Sequence, residues 1–336
     1  MKKKGLYIPD FQKRLAIHTR KEVELGETVA AWLMTIRSLD LRDLPHLYRL
    51  RGDAVGLDST RTLTRGNPLG AVGLMAYVNP ARHIYASIAD GDGVSLLGGI
   101  IHTRGESFAK LLYLAPSSRL DHPDLPALID HLSSEAGSWG AFHVLAEVDE
   151  ASSVFDGLRK SGFSVYAWQR MWNVSQVAKS NSRSDWTRVE SIHLPAIQSL
   201  YQQIVPPLLH PVEPIPRRAV GWINDAGAKC YVNVTQGVYG IVLTPLIHPE
   251  VADVSAKIIS LVNHLPDRRN RPVYLCVRSY QAWLEPALED LGARAGERQA
   301  VMVRHLTRLV RDEQTLLATQ PSGVSVQPSR VSRIHK

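Results

Sequence analysis

The sequence predicts an α/β (α+β) chain made of two tandem copies of one domain, each a mixed, mostly antiparallel central sheet flanked by helices. Three observations predict it. Thr35-Ile36-Arg37-Ser38-Leu39 and Asp43-Leu44-Pro45-His46-Leu47-Tyr48 are echoed about 150 residues later by Thr187-Arg188-Val189-Glu190-Ser191, Leu194-Pro195 and Leu200-Tyr201. The later parts of the copies match too: Leu128-Ile129-Asp130-His131-Leu132 with Leu261-Val262-Asn263-His264-Leu265, and Leu158-Arg159-Lys160-Ser161-Gly162-Phe163 with Leu288-Glu289-Asp290-Leu291-Gly292-Ala293. Each copy also runs through apolar periodicities in one order: strand, helix, antiparallel strands, helix, strand, helix, strand.

The first copy, residues 32–174, opens with a strand over Trp32–Arg37. Asp40 or Asp43 is placed to cap the helix whose apolar face is Leu44, Leu47, Tyr48 and Leu50. Residues 52–67 read as loop or short helix. Strands Gly73–Val78, His83–Ile88 and Ser95–His102 follow, separated by Asn79-Pro80 and Asp90-Gly91-Asp92-Gly93, which carry turn chemistry. A fourth strand, Ala109–Leu114, stops at Pro116; helix is expected over Leu125–Ala136, strand over Phe142–Val148, helix over Ala151–Ser161 and a closing strand over Ser164–Val174. A polar Ser/Lys/Asn stretch, 175–185, is the expected linker.

The second copy, 186–307, has a helix at Leu194–Ile204, then a proline-rich insertion that cannot be helix. Strands are expected at Ala219–Asn224, Lys229–Thr235 and Val238–Thr244, then helix Val254–Leu265, strand Val273–Arg278, helix Gln281–Leu291 and strand Ala300–Leu306. Residues 1–31 read as a basic arm and 318–336, rich in Ser, Pro and Gln, as a disordered tail.

Composition bounds the function. With 336 residues, 44% hydrophobic and 21% charged, the chain has the makeup of a soluble globular protein with two ordinary cores. No apolar run reaches the roughly 20 residues of a spanning helix and no signal core follows Met1, so the expected address is the cytoplasm, with no membrane partner. Residues 1–30 carry seven Lys/Arg against four Asp/Glu, and 307–336 five against two, so most of the +7 net charge sits at the ends. No basic, aromatic-interleaved stripe crosses either core, which leaves nucleic acid to the tails alone. The two cysteines, Cys230 and Cys276, sit in apolar strands and read as buried free thiols; the 13 histidines form no His-Glu-x-x-His, so no metal site is expected.

Several local signatures, in order, resemble the GNAT superfamily of N-acetyltransferases, in tandem over residues 32–174 and 186–307. Ile36-Arg37-Ser38-Leu39 before Asp43-Leu44 is similar to its opening strand and helix. Leu112-Tyr113-Leu114-Ala115-Pro116-Ser117-Ser118-Arg119 is similar to its fourth strand and coenzyme loop, and Val148-Asp149-Glu150 with Leu158 to Phe163 to its fifth strand, helix and Gly-Phe turn. The resemblance implies acyl transfer from acetyl-CoA, or another acyl-CoA, to an amine: a small molecule, a peptide N-terminus or a lysine. It implies coenzyme binding in the first copy beside Leu114, Pro116, Arg119, His122 and Leu125, where helix N-terminal amides favour a pyrophosphate.

The motifs are degenerate. Pro116 and Arg119 keep the expected offset, but the two glycine positions hold His122 and Asp124, and in the second copy Pro245 is followed by neither Arg nor Gly. The usual proton-donating Tyr is replaced by Leu158 and Leu288, which leaves Tyr113 or Tyr166 as substitutes, and Glu106 and Glu147 as carboxylates that strands can aim at a central cleft. Both copies carry a His-Pro-acid triplet, His122-Pro123-Asp124 and His248-Pro249-Glu250, read as a helix start or as an imidazole anion donor. Two functions are therefore carried forward: a GNAT-type acyltransferase, and a catalytically inactive protein of the same fold that binds a ligand or serves as a scaffold.

Overall fold

The first copy comprises β1 (Thr35–Ser38), α1 (Leu44–Leu50), β2 (Val55–Gly56), α2 (Ser59–Arg65), β3 (Arg82–Gly91), β4 (Val94–Thr103), β5 (Phe108–Ala115), α3 (Leu125–Ser138), β6 (His143–Asp149), α4 (Ser153–Lys160) and β7 (Ser164–Asn173). The second comprises β8 (Trp186–Arg188), α5 (Leu194–Ile204), β9 (Gly221–Asn224), β10 (Cys230–Gln236), β11 (Ile241–Ile247), α6 (Val254–His264), β12 (Val273–Arg278), α7 (Glu285–Asp290) and β13 (Arg294–His305). The computed structural model describes residues 35–70, 82–91, 94–177, 185–215, 217, 220–224, 229–266 and 268–306. The expected arm, tail, strand Gly73–Val78 and most of the linker lie outside them. The two element orders match one for one, except that β2 and α2 have no counterpart among the described residues.

Local chemistry sets the helix starts. A proline lies in the first two positions of α1, α3, α5 and α7, where its missing N–H leaves no bond unmade. The Ser152 hydroxyl caps α4 by accepting from Val154 N at 3.3 Å, and Asp58 caps α2 by accepting from Arg61 N at 3.0 Å. Asp43 immediately precedes α1 but does not cap it. Its carboxylate instead accepts two bonds from the Arg37 guanidinium, at 2.6 and 2.8 Å, and one from Asp40 N at 2.9 Å. Some expected boundaries are displaced, β13 most of all, which starts at Arg294 rather than Ala300. The strand β11 starts at Ile241 rather than Val238, and the helix expected at Gln281 is a 3-10 turn over Ser279–Leu284 that becomes α7 only at Glu285.

All strands form one sheet, in the order β1-β3-β4-β5-β6-β13-β7-β12-β11-β10-β9-β8, with β2 paired alongside β5. Apart from the β2 addition, the order reads the same from both ends, copy for copy, because each copy's last strand is exchanged. β13 pairs β6 over Gln299–His305, β7 pairs β12 over Gln169–Asn173, and β7 and β13 pair with each other at the centre. Among the described residues the only parallel contacts are β5–β6 and β11–β12, each three residue pairs long; beyond Lys110/Leu145 and Leu243/Leu275 those strands diverge.

Helices cover both faces. α3 and α4 bury Leu128, Ile129, Leu132, Val154 and Leu158 against one face of the first half, and α1 sets Leu47 against the other. In the second half α6 and α7 stand where α3 and α4 do, and α5 where α1 does. The exchanged strands complete each other's cores: Ala300 and Met302 belong to the first, Trp172, Val174 and Val177 to the second. α2 reaches across to the β10–β11 turn, where Tyr239 N donates to Thr64 O at 3.0 Å; a Cβ on Gly237 would lie 2.1 Å from that oxygen, so only glycine allows the approach.

Candidate functional site

Diverging parallel strands leave unpaired backbone edges, which are either filled by the protein or open to a ligand. In the first copy residues 53–59 fill the gap. Val55 and Gly56 pair with Leu114 and Tyr113, Leu57 N donates to Leu112 O at 2.9 Å, and Glu147 N donates to Leu57 O at 2.9 Å, bridging β5 and β6. Asp53 sits at the head of this segment. Its Oδ1 accepts from Ser117 N at 3.0 Å and from the Ser117 hydroxyl, and Oδ2 from the Ser118 hydroxyl at 3.2 Å. Those bonds, the Ser117 hydroxyl first, hold its carboxyl below the ordinary carboxylate range. A carboxylate thus occupies the loop amide where the resemblance puts an anion.

Four further amides of that loop are internally satisfied. Arg119 N, His122 N and Leu125 N donate to the carbonyls of Pro116, Arg119 and His122, each at 3.1 Å, and Asp124 N donates to His122 Nδ1 at 3.3 Å. The second copy repeats the motif: Glu250 N donates to His248 Nδ1 at 3.3 Å and Val251 N to His248 O at 3.0 Å. Both histidines accept from a backbone amide through Nδ1, so each triplet closes a turn ahead of its helix, which starts only at Leu125 and at Val254. In the second gap the edge of β11 is occupied. The fully buried Gln281 side chain donates to Pro245 O at 2.8 Å and accepts from Ile247 N at 2.9 Å, which explains why its backbone leaves the helical region.

Open space lies instead on the α1/α5 face, where the copies meet in two adjoining chambers of about 270 and 420 Å³. The lining is an outcome of strand periodicity, since residues i and i+2 share a face. β5 supplies Phe108 and Lys110, β6 Leu145 and Glu147, β10 Tyr231 and Asn233, β11 Thr244 and Leu246, β12 Cys276 and Arg278. A charge network runs through it. Lys110 Nζ lies 3.3 Å from Asp58 Oδ2; Arg278 lies 3.4 Å from Glu213 and 3.8 Å from Glu147; Ser59 N donates to Glu147 Oε2 at 2.8 Å; Tyr280 donates to Glu213 Oε2 at 2.7 Å.

Burial and charge pull these groups in opposite directions. Burial opposes the charged form of Asp58, but Lys110 and the Arg61 amide and guanidinium more than offset it, leaving the carboxyl below its ordinary range. Burial likewise opposes the Arg278 charge, and Glu213 above all holds the proton on. Burial pushes the Cys276 thiol up to about 12. Cys230 is buried as well, on a strand separated from that of Cys276 by β11, and neither forms a disulfide. Neither cysteine is therefore expected to react with a thiol-specific disulfide reagent at pH 8 in the native protein, and both should react once urea unfolds it; rapid native labelling of Cys276 would contradict the burial.

The sequence-predicted residues are dispersed. Glu106 and Glu147 both line the larger chamber, but Glu147 is already committed to Ser59 and Arg278. Tyr113 lies in the core under α1, its ring against Gly99, away from both chambers. Tyr166 does reach the smaller chamber, which Glu213 also lines. Leu114 is core; Pro116 and Arg119 follow it at the surface, and His122 and Leu125 line a separate cavity of about 240 Å³ with Gly157 and Lys160. Asp58, Lys110, Glu213, Arg278 and Tyr280 escaped sequence reasoning, although a lone charge in an apolar strand marks two of them. Among the described residues no cluster of His, Cys, Asp or Glu is placed to hold a metal, and no helix is long and apolar enough to cross a membrane.

No protein-family model matches the chain, and no curated protein matches it. Solved structures do. A tandem GNAT protein from the clavulanic acid biosynthesis pathway matches at 14% identity with a TM-score of 0.50, over 82% of this chain and 99% of its own. A GCN5-related N-acetyltransferase from Sphaerobacter thermophilus follows at 11% identity and a TM-score of 0.49, over 81% and 95%. A GNAT-family acetyltransferase from Colwellia psychrerythraea matches at 12% and 0.43, over 81% and 100%. The first match shows the fold: two GNAT-like halves in tandem, with a large, mostly antiparallel sheet flanked by helices.

Proposed function

From the tandem GNAT fold, an acyl-transfer fold, we propose that this chain is a ligand-binding protein whose working site is the central cavity, and that residues 32–174 and 186–307 are its two copies. The observation that carries this reading is that the chain's own amides occupy both strand gaps, Leu57 bridging β5 and β6 in the first and the Gln281 side chain bonding the β11 edge in the second. Coenzyme A carries phosphates and an extended arm with amides. Both need groups that are spent here: the edge of β5 on Val55 to Leu57, and the Ser117 amide on Asp53. The residues present do not fit acetyl-CoA.

The competing reading is acylation of an amine through the first copy. The fold itself favours it, and it requires residues 53–59 to leave the gap, which exposes the buried Leu57 and breaks the bridge to Glu147. Thermal-shift titration with coenzyme A and acetyl-CoA separates the two. No shift at millimolar coenzyme is the expected result. A ligand at 100 times its Kd adds about 2.7 kcal/mol; a saturable shift of that order, lost in Arg119→Ala, would instead establish the acyltransferase reading.

A further inference from the structure

We infer that the central cavity binds a small amphipathic anion, a carboxylate or phosphate monoester carrying an apolar body. This rests on the reading of that cavity as the working site. The two chambers share a waist of Phe108, Lys110, Glu147, Asn233, Thr244 and Arg278, so one ligand can span both. Beyond the waist their chemistry divides.

The smaller chamber is mostly apolar beyond the waist, walled by the rings of Tyr166, Tyr201, Tyr231 and Tyr280 with Val205 and Val212, and its one carboxylate there, Glu213, is paired with Arg278 at 3.4 Å. Three of the four tyrosine hydroxyls donate to protein partners: Tyr280 to Glu213 and Tyr231 to Val220 O, at 2.7 and 3.0 Å, and Tyr201 to Glu213 O. Ring faces are what remains for a ligand, and they suit an alkyl or aryl body.

The larger chamber is polar and positive. Its carboxylates Asp58 and Glu147 are each held by a cation and a backbone amide, Asp58 by Lys110 and Arg61 N, Glu147 by Arg278 and Ser59 N. Arg65 and Arg82 line the same wall and form no ion pair among the described residues, against one further carboxylate, Glu106. Two cations in a half-enclosed wall favour an anionic head, and guanidinium forks match carboxylate and phosphate geometry. An ammonium head would meet both arginines with only Glu106 in compensation.

Calorimetry on the full chain tests this with decanoate, decyl phosphate, decan-1-ol, decylamine and butyrate, on the parent and on Arg65→Ser/Arg82→Ser. Decanoate and decyl phosphate should bind, with butyrate and decan-1-ol at least tenfold weaker. The double variant should weaken both anions at least tenfold at unchanged Tm and leave decan-1-ol unaffected. Decylamine binding more tightly than decanoate, anion affinity indifferent to the double variant, or butyrate matching decanoate would each overturn the assignment. Failure of every decyl probe also overturns it, and leaves the closed-gap reading standing; that reading falls only to the coenzyme titration run in parallel.

Discussion

Expressed separately, the fragments 1–180 and 181–336 should fail to fold, and mixed together they should reconstitute one folded species. Each fragment carries a strand whose main partners lie in the other: β6 loses β13 over Gln299–His305, and β12 loses β7 over Gln169–Asn173. The cores are opened as well. The second loses Trp172, Val174 and Val177, and the first loses Ala300 and Met302. A large buried apolar side chain contributes ~1.5–3 kcal/mol. Three such losses take away much of the ~5–15 kcal/mol by which a protein of ordinary stability stays folded, and the freed strand edges promote aggregation. Far-UV circular dichroism, amide dispersion in NMR and size-exclusion chromatography give the reading. A cooperatively folded, monomeric 1–180 fragment would show that the exchanged strand is dispensable.

Replacing Arg278 by Ala should destabilise the chain by about 3–5 kcal/mol, the cost of leaving buried charge without its partner. Arg278 stands between Glu213 and Glu147, at 3.4 and 3.8 Å, and its side chain is 16% exposed, so solvent screens little of the loss. Glu213 keeps its bond from Tyr280, and Glu147 its bond from Ser59 N, but neither bond supplies a countercharge from a basic side chain. Adding Glu213→Gln to Arg278→Ala should recover part of the loss, because it removes one of the stranded carboxylates. Urea denaturation of the two variants and the parent measures both effects. A loss equal to that of Arg278→Met, with no recovery in the double variant, would mean that the side chain acts by packing rather than by charge.

What the sequence made legible were features that depend on short windows. Strand alternation, helical stripes and prolines at helix starts act over a few residues, and they placed β4, β5, α3, β6, α4, β12 and α5 close to where they lie. The duplication was legible for the same reason, since it is a repetition of local patterns. Residues 52–67 resisted because β2 is two residues long and α2 seven, too short for a period to emerge. The site was half legible. Lys110 in Phe108–Ala115 and Arg278 in Val273–Arg278 are single charges in apolar strands, and Glu147 is the one charge inside His143–Asp149 before its terminal Asp149, a signal that was read only at Glu147. Glu213 carried no such signal, because an acid in a proline-rich loop looks like solvent-facing chain.

By itself, then, the sequence determined two copies of one element order, with helices on both faces of mixed strands and buried thiols. Tertiary structure decided the rest. Whether β7 and β13 close their own halves or each other's depends on partners more than 100 residues away, and the alternation in each strand is satisfied by either arrangement. The same holds at the strand gaps. Nothing in Asp53-Ala54-Val55-Gly56-Leu57 announces that its amides will bridge β5 and β6, because backbone hydrogen bonding is available to every residue and position alone chooses the partner.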